Sequence, residues 1–107
     1  MAREQPELHF LYRMIANESA AFDREELRKR LAAMTTRPVD VLRGASIPTL
    51  FITGGEDTTY PPFLSNALAP LMPNAKVEQV WDSGHSVYFQ RAEAFNRLVD
   101  TFLSKVG

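Results

Sequence analysis

The amino-acid sequence predicts an α/β fold in which a helical segment precedes a β-α-β-α unit with parallel strands. Two strand-like runs, Ile47–Thr53 and Val77–Trp81, are separated by a segment long enough for a short helix. From Arg91 to Val106, apolar residues recur at the three- and four-residue spacing of an amphipathic helix. Strands that alternate with helices along a chain usually form a parallel sheet.

Residues 7–34 are interpreted as two amphipathic helices. The apolar stripes comprise Leu8, Leu11, Tyr12 and Ile15 on the first helix, and Leu27, Leu31 and Met34 on the second. Asp23 is followed three residues later by a glutamate, which is the spacing of a capping box, so the second helix is expected to begin at Arg24. The segment Thr35–Pro38 should end this helix, because a residue before proline avoids the helical conformation. A short connector through Gly44 follows.

The run Ile47–Thr53 is apolar and rich in β-branched residues, which favours a strand covered on both faces at the centre of a parallel sheet. Pro61 and Pro62 stand where a helix can begin. That helix should be short, because Pro70 disturbs it and Pro73-Asn74 closes it. The second strand and the final amphipathic helix complete the β-α-β-α order.

Composition excludes several classes of function. The chain of 107 residues has room for one domain, and its 12 basic and 13 acidic residues leave a net charge of -1, which favours neither nucleic acid nor an anionic membrane as a partner. There is no cysteine, so thiol chemistry is excluded, and no apolar run approaches the roughly 20 residues that span a bilayer. The N-terminal segment Met1–Pro6 lacks the apolar core of a signal peptide. We therefore expect a cytoplasmic location.

An acid and a histidine each follow one of the predicted strands. Asp57 lies in the turn after the first strand, and His85 follows the second strand, 28 positions later. A carboxylate fixed at one strand end can orient an imidazole held at the next, as in the base half of a nucleophile–His–acid triad. The alternatives are that Asp57 is a turn residue before Pro61 and that His85 is a surface histidine. We expect no metal site, because Glu56, Asp57 and a single histidine are too few ligands, and nothing indicates a cofactor.

Several short motifs occur in a fixed order along the second half of the chain. They are Pro48-Thr49-Leu50, Gly54 to Asp57, Pro61-Pro62, Pro73-Asn74-Ala75, Val77 to Trp81, Gly84-His85 and Phe102-Leu103. The ordered set resembles the C-terminal portion of an α/β-hydrolase. The resemblance implies that Asp57 is the triad acid and His85 the general base. It also implies that residues 47–107 form a βαβα part of the hydrolase sheet and that residues 1–46 form a helical, lid-like segment.

The nucleophile half of the hydrolase pattern is absent from the sequence. No Gly-x-Ser-x-Gly elbow occurs. The segment Gly44–Pro48 resembles this motif only in part, and it precedes the strand that leads to Asp57 instead of ending a strand and opening a helix. The oxyanion-hole loop is absent as well. We therefore expect the C-terminal segment of an enzyme that hydrolyses an ester, lactone or thioester, with a small-molecule substrate once an N-terminal half completes it. The alternative is a stand-alone, non-catalytic dimerisation or ligand-binding module descended from such an enzyme.

Two further expectations concern the surroundings of this segment. A sheet of two parallel strands is marginal alone, so we expect a homo-oligomer, with a homodimer joined edge to edge through Ile47–Thr53. Trp81, Tyr88 and Phe89 flank His85. They could line an acyl pocket, or they could simply pack the last helix onto the strands.

Overall fold

A computed structural model describes residues 4–34 and 37–107. The chain divides into two compact units, one ending at Pro38 and the other running from Val39 to Gly107. The interpretations that concern Met1–Arg3 and Thr35–Thr36 lie outside the described residues. Within the described ranges, no helix is long and apolar enough to cross a membrane. The location of the protein in the cell stays a prediction.

The first unit contains the two predicted helices, α1 (Pro6–Glu18) and α2 (Arg24–Met34). Asp23 caps α2: its Oδ1 accepts the backbone N–H of Glu26 at 2.9 Å, and its carbonyl oxygen accepts the N–H of Leu27 at 3.2 Å. The side-chain bond satisfies a donor that the first turn of a helix leaves without an intrahelical partner, and the bond to the carbonyl oxygen is the first backbone bond of the helix. The predicted start of α2 at Arg24 is therefore confirmed.

The second unit has the predicted β-α-β-α order with additional short elements. In chain order it contains a 3₁₀ helix (Val39–Gly44), β1 (Thr49–Gly54), α3 (Pro62–Leu68), a 3₁₀ turn (Ala69–Leu71), β2 (Ala75–Val80), α4 (Val87–Gln90) and α5 (Ala92–Val106). The α/β fold class is confirmed. The predicted connector through Gly44 contains a 3₁₀ helix, and α4 was not predicted.

The two strands pair in parallel, with Thr49 opposite Ala75 and Gly54 opposite Val80. β1 begins two residues later than predicted, and the side chain of Ile47 is exposed. The prediction that β1 is a central strand is wrong for the described residues, because there β1 pairs with β2 alone. An apolar run indicates that both faces of a strand are covered, but it does not indicate how many strands pair with its edges.

The loops around the sheet are held by specific contacts. Pro62 begins α3, and Pro70, which has no backbone N–H, lies in the 3₁₀ turn that follows it. Asn74 fastens the start of β1, because its carbonyl oxygen accepts the Thr49 N–H at 2.9 Å and its side-chain amide donates to the Ser46 carbonyl at 2.6 Å. α5 turns its half-buried apolar face inward, and Leu98 and Phe102 line a small cavity together with Leu50 of β1.

Candidate active site

Asp57 is held in a tight turn directly after β1. Its backbone N–H donates to the Gly54 carbonyl oxygen at 3.1 Å, and the N–H of Gly55 continues the sheet by donating to Val80 at 2.8 Å. The Asp57 side chain is buried, and its Oδ1 accepts the backbone N–H groups of Thr59 and Tyr60, each at 2.8 Å. The turn therefore fixes the carboxylate through its own backbone.

His85 follows β2 and meets that carboxylate. Its Nδ1 lies 2.8 Å from Oδ2 of Asp57. The Asp57 side chain is 5% exposed, whereas that of His85 is 60% exposed, so the imidazole lies between a buried acid and solvent. The structure thus brings together the two residues singled out in the sequence, and their catalytic role stays a prediction.

Hydrogen bonds decide the charge of Asp57. Burial alone would raise the pKa of its carboxyl group, but the N–H of Tyr60, the His85 ring and the N–H of Thr59 stabilise the anion and together hold the pKa below its ordinary value. Asp57 is therefore ionised at neutral pH and can only accept hydrogen bonds. This assigns the bridging proton to Nδ1 of His85, so that Nε2 of the neutral ring is an acceptor.

Two glycines let the acid turn and the histidine loop approach each other. A Cβ atom at Gly54 would collide with the backbone carbonyl oxygens of Ser83 and Gly84, and one at Gly55 would lie 2.5 Å from the carbonyl oxygen of Trp81. The N–H of Glu56 donates to the Ser83 carbonyl at 2.9 Å across this contact. The Gly-Gly pair at the end of β1 is thus a requirement of close backbone approach.

The remaining sequence candidates do not join this pair. Glu56 belongs to the turn through its backbone, and in the part of the chain that is described no cluster of three or more His, Cys, Asp and Glu side chains could hold a metal. The second histidine of the chain, His9, was not singled out in the sequence and lies on α1, in the other compact unit. Tyr88 packs edge to face on Phe95 of α5, with ring centroids 6.2 Å apart, which supports the packing alternative for this residue. Trp81 is exposed.

Sequence reasoning missed two polar residues beside His85. Ser83 is fully buried, and Gln90, at the end of α4, accepts hydrogen bonds from Ser83 and Gly84 through its side-chain oxygen. The only local signal was a glutamine that ends the apolar run Val87-Tyr88-Phe89. A helix of four residues is too short to produce a periodic pattern.

Comparison with known proteins identifies a family model and several relatives. The family model described as TAP-like protein, one of the α/β-hydrolase models, matches residues 27–106. The putative non-heme bromoperoxidase BpoC of Mycobacterium tuberculosis is 32% identical over 74 residues, which are 69% of this chain and 28% of that protein. The 2-hydroxymuconate semialdehyde hydrolase of Pseudomonas putida is 38% identical over 64 residues, 60% of this chain and 23% of that enzyme.

Solved structures agree with these matches. The crystal structure of BpoC superimposes on 68% of this chain and 27% of its own, with a TM-score of 0.64 and 32% identity. MGS-MChE2, an α/β-hydrolase enzyme from a lagoon-sediment metagenome, covers 86% of this chain and 44% of its own, with a TM-score of 0.68 and 25% identity. The predicted fold, the C-terminal part of an α/β-hydrolase sheet, is confirmed. The chain spans about a quarter of the length of the curated relatives it matches.

Proposed function

This chain belongs to the TAP-like protein family of α/β-hydrolases, and on that premise we propose that it supplies the acid and the histidine of a Ser-His-Asp hydrolase site. One observation carries the proposal. Nδ1 of His85 lies 2.8 Å from a carboxylate oxygen of Asp57, while the other oxygen of Asp57 is fixed by two backbone N–H groups. An oriented carboxylate and an imidazole with Nε2 available as an acceptor form the base half of a triad.

The chemistry follows from the tautomer. Asp57 keeps the proton on Nδ1 of His85 and stabilises the imidazolium that forms when Nε2 accepts the proton of a serine hydroxyl. The same Nε2–H then protonates the leaving group, and afterwards the neutral imidazole activates the water that hydrolyses the acyl intermediate. Asp57 does not take up a proton at any step.

The nucleophile and the oxyanion hole would come from an N-terminal half outside these 107 residues. We propose a small-molecule substrate with an ester, lactone or thioester bond for the completed enzyme. A histidine and an acid without a nucleophile can act on water as a general base, which typically contributes only about 10²- to 10⁴-fold. The chain alone is therefore expected to be inactive or very weakly active.

A chimera tests the proposal. The C-terminal part of the Pseudomonas putida 2-hydroxymuconate semialdehyde hydrolase is replaced by the matching segment of this chain, and hydrolysis of that enzyme's own substrate is measured. We expect the chimera to be active. His85→Ala and Asp57→Asn in the chimera should each lower kcat by at least about 10³-fold, because triad members act as a unit. A folded, active chimera in which His85→Ala has no effect would contradict the proposal.

Reading the coding DNA upstream of Met1 in frame is the cheapest complementary test. An open frame that encodes a strand, a Gly-x-Ser-x-Gly elbow and a helix would supply the expected serine. An in-frame stop close upstream would instead favour the alternative, a non-catalytic module.

One edge of β1 lacks a partner strand in the described part of the chain, and this favours that alternative as a second candidate function. The N–H of Thr49 donates to Asn74 and the N–H of Gly55 donates to Val80, so the odd-numbered residues of β1 face β2. The backbone groups of Leu50 and Ile52 therefore face the other edge, which has no partner strand among the described residues. This edge could bind a strand of a second copy. His85→Ala should leave such dimerisation unchanged, whereas it should abolish hydrolysis by the completed enzyme.

A further inference from the structure

Ser83 lies two residues before His85 and connects three parts of the site. Its side chain is 1% exposed. Its carbonyl oxygen accepts the N–H of Glu56 from the acid turn at 2.9 Å. Its hydroxyl lies 3.2 Å from Oε1 of Gln90 and 3.3 Å from the carbonyl oxygen of Gly84, so it can donate to α4. The start of the histidine loop is thus bonded to the acid turn on one side and to Gln90 on the other.

Gln90 binds the backbone on both sides of His85. Its Oε1 accepts the N–H of Gly84, the residue before His85, at 2.6 Å. Its own N–H donates to the carbonyl oxygen of Ser86, the residue after His85, at 2.9 Å. Because Gly84 and Ser83 both donate to the same atom, that atom must be the oxygen of the amide.

The imidazole has little else to hold it. The His85 side chain is 60% exposed, so packing restrains the ring weakly, and its hydrogen bond to Asp57 depends on where the loop backbone places it. A displacement of about 1 Å at a catalytic group can lower a rate by about 10²-fold. Besides the hydrogen bonds of Gln90, an ion pair between Arg91 and Asp82 at 2.9 Å also bridges the two ends of this loop. The Asp82 side chain is 72% exposed. An exposed ion pair restrains a loop weakly.

We infer that Gln90 is a positioning residue that fixes His85 against Asp57 by accepting hydrogen bonds from Gly84 and Ser83. It acts through the backbone of the loop and touches no reacting atom. The consequence for catalysis rests on the proposed hydrolase function, whereas the consequence for the contact between His85 and Asp57 does not. The two are therefore tested by different measurements.

The first measurement is NMR of the 107-residue chain with labelled histidine rings, in which His9 is an internal reference. Gln90→Met removes the acceptor at nearly constant side-chain length, and Gln90→Glu retains it. We expect the Nδ1–H proton of His85 to exchange with solvent at least about tenfold faster in Gln90→Met, and Gln90→Glu to restore slow exchange. The ring signals of His9 should be the same in all variants.

Asp82→Asn is the matched control, because it weakens the ion pair between Asp82 and Arg91, which bridges the same loop. It should leave the exchange of the His85 ring proton within about twofold of wild type. If Gln90→Met does not fold, Ser83→Ala replaces it. This variant removes the hydrogen bond from Ser83 to Gln90 and keeps the one from Gly84. The Nδ1–H proton of His85 should then exchange with solvent faster than in wild type. Unchanged exchange in a folded Gln90→Met variant, or in Ser83→Ala when that variant stands in for it, would overturn the inference. So would a Gln90→Glu variant that exchanges as fast as Gln90→Met.

The second measurement uses the active chimera. Gln90→Met should lower kcat by about 10²-fold with a much smaller change in KM, and Gln90→Glu should recover most of the loss. If the NMR result holds and His85→Ala leaves the activity of the chimera unchanged, the proposed function fails and the positioning role stands. If the chimera depends on His85 but not on Gln90, the proposed function stands and the consequence of the positioning role for catalysis fails alone.

Discussion

At the scale of single residues, the site depends on a carboxylate that is ionised although it is buried. Water alone does not stabilise the charge of Asp57, since its side chain is 5% exposed. Backbone N–H groups of Thr59 and Tyr60 and the ring of His85 take the place of solvent. Two of these three donors come from the turn itself, so the turn stabilises the anion independently of His85.

The lowered pKa of Asp57 makes stability depend on pH. In the unfolded chain the Asp57 carboxyl group has its ordinary pKa of 3.8. In the folded chain its pKa is lower, so the carboxylate is protonated only at lower pH. As the pH falls from about 5, the unfolded state therefore binds more protons, and the free energy of unfolding decreases until the folded pKa is passed. Asp57→Asn should remove this part of the slope and lower stability at neutral pH by about 1.5 to 3 kcal/mol.

Urea unfolding at a series of pH values measures this effect. The difference in stability between wild type and Asp57→Asn should shrink as the pH falls. The control is Asp40→Asn, which removes one carboxylate at a side chain that is 82% exposed. A difference between wild type and Asp57→Asn that stays constant from neutral to acid pH would count against the role of the hydrogen bonds.

Gly54 offers a steric prediction. In Gly54→Ala the new Cβ would meet the backbone carbonyl oxygens of Ser83 and Gly84, which cannot move without breaking the contact between the two loops. We expect destabilisation of about 1 to 3 kcal/mol or more, measured by thermal or urea unfolding. Gly44→Ala is the matched control, because its Cβ would have no heavy atom within 4 Å. That variant should stay within about 0.5 kcal/mol of wild type.

At the scale of elements, α5 shows how a helix without a fully buried residue still holds a sheet. The side chains on its inner face, Ala94, Phe95, Leu98, Val99 and Phe102, are half-buried, and the opposite face is exposed. Leu98 and Phe102 line a small cavity together with Leu50 of β1, and Phe95 packs edge to face on Tyr88 of α4. Partial burial of many apolar groups supplies the hydrophobic stabilisation that a few deeply buried ones would supply in a larger domain.

A neighbouring pair on α5 tests this account. Phe102→Ala should lower the free energy of unfolding by about 2 kcal/mol, less than the 3 to 5 kcal/mol typical of a fully buried phenylalanine. Leu103→Ala is the control, because Leu103 is 55% exposed and should contribute about 0.5 kcal/mol or less. Both values come from the same urea titration. Equal effects of the two substitutions would mean that the inner face of α5 is not packed as described.

The short helix that follows the histidine loop makes a similar point. α4 has only four residues, yet it places Gln90 against Gly84 and carries Tyr88 to the ring of Phe95. A short helix is thus enough to join the loop of His85 to α5. Its stability comes from these side-chain contacts, since four residues cannot form a stable helix alone.

At the scale of the whole molecule, the edge of β1 that has no partner strand among the described residues leads to the proposal of a homodimer. If two copies pair antiparallel about a two-fold axis at Phe51, Leu50 exchanges hydrogen bonds with Ile52 of the second copy, and Ile52 with its Leu50. This arrangement would extend the sheet to β2-β1-β1-β2. The oligomeric state at micromolar concentration, measured by sedimentation equilibrium, tests it directly, and a compact monomer would contradict it.

Cysteine cross-linking tests the register of that dimer, and the chain has no cysteine to interfere. In the proposed pairing Thr49 lies opposite Thr53 of the second copy, with Cα atoms about 4.5 Å apart, which is within the range of a disulfide. A mixture of Thr49→Cys and Thr53→Cys should therefore form a mixed disulfide under mild oxidation. Either variant alone is the control and should cross-link far less. Equal cross-linking in all three samples would contradict this register.

How much of this protein could be predicted from its sequence depends on the range of the interactions involved. The cap at Asp23, the start of α2 and the amphipathic face of α5 follow from residues within a few positions of one another. The hydrolase-like order of motifs likewise needs only the linear chain. The ends of both strands shifted by one or two residues, because pairing, not composition, decides where a strand begins.

The sequence by itself determined the α/β class, the order of helices and strands, and the positions of Asp57 and His85 after the two strands, because periodicity, capping and turn chemistry are local. The tertiary structure alone decided that Asp57 and His85 meet at 2.8 Å, that β1 has an open edge among the described residues, and that Ser83 and Gln90 hold the histidine loop. The acid and the histidine are 28 residues apart. Their distance is set by the register of two parallel strands and by the close approach of two loops at Gly54, and neither is encoded in any short stretch of sequence.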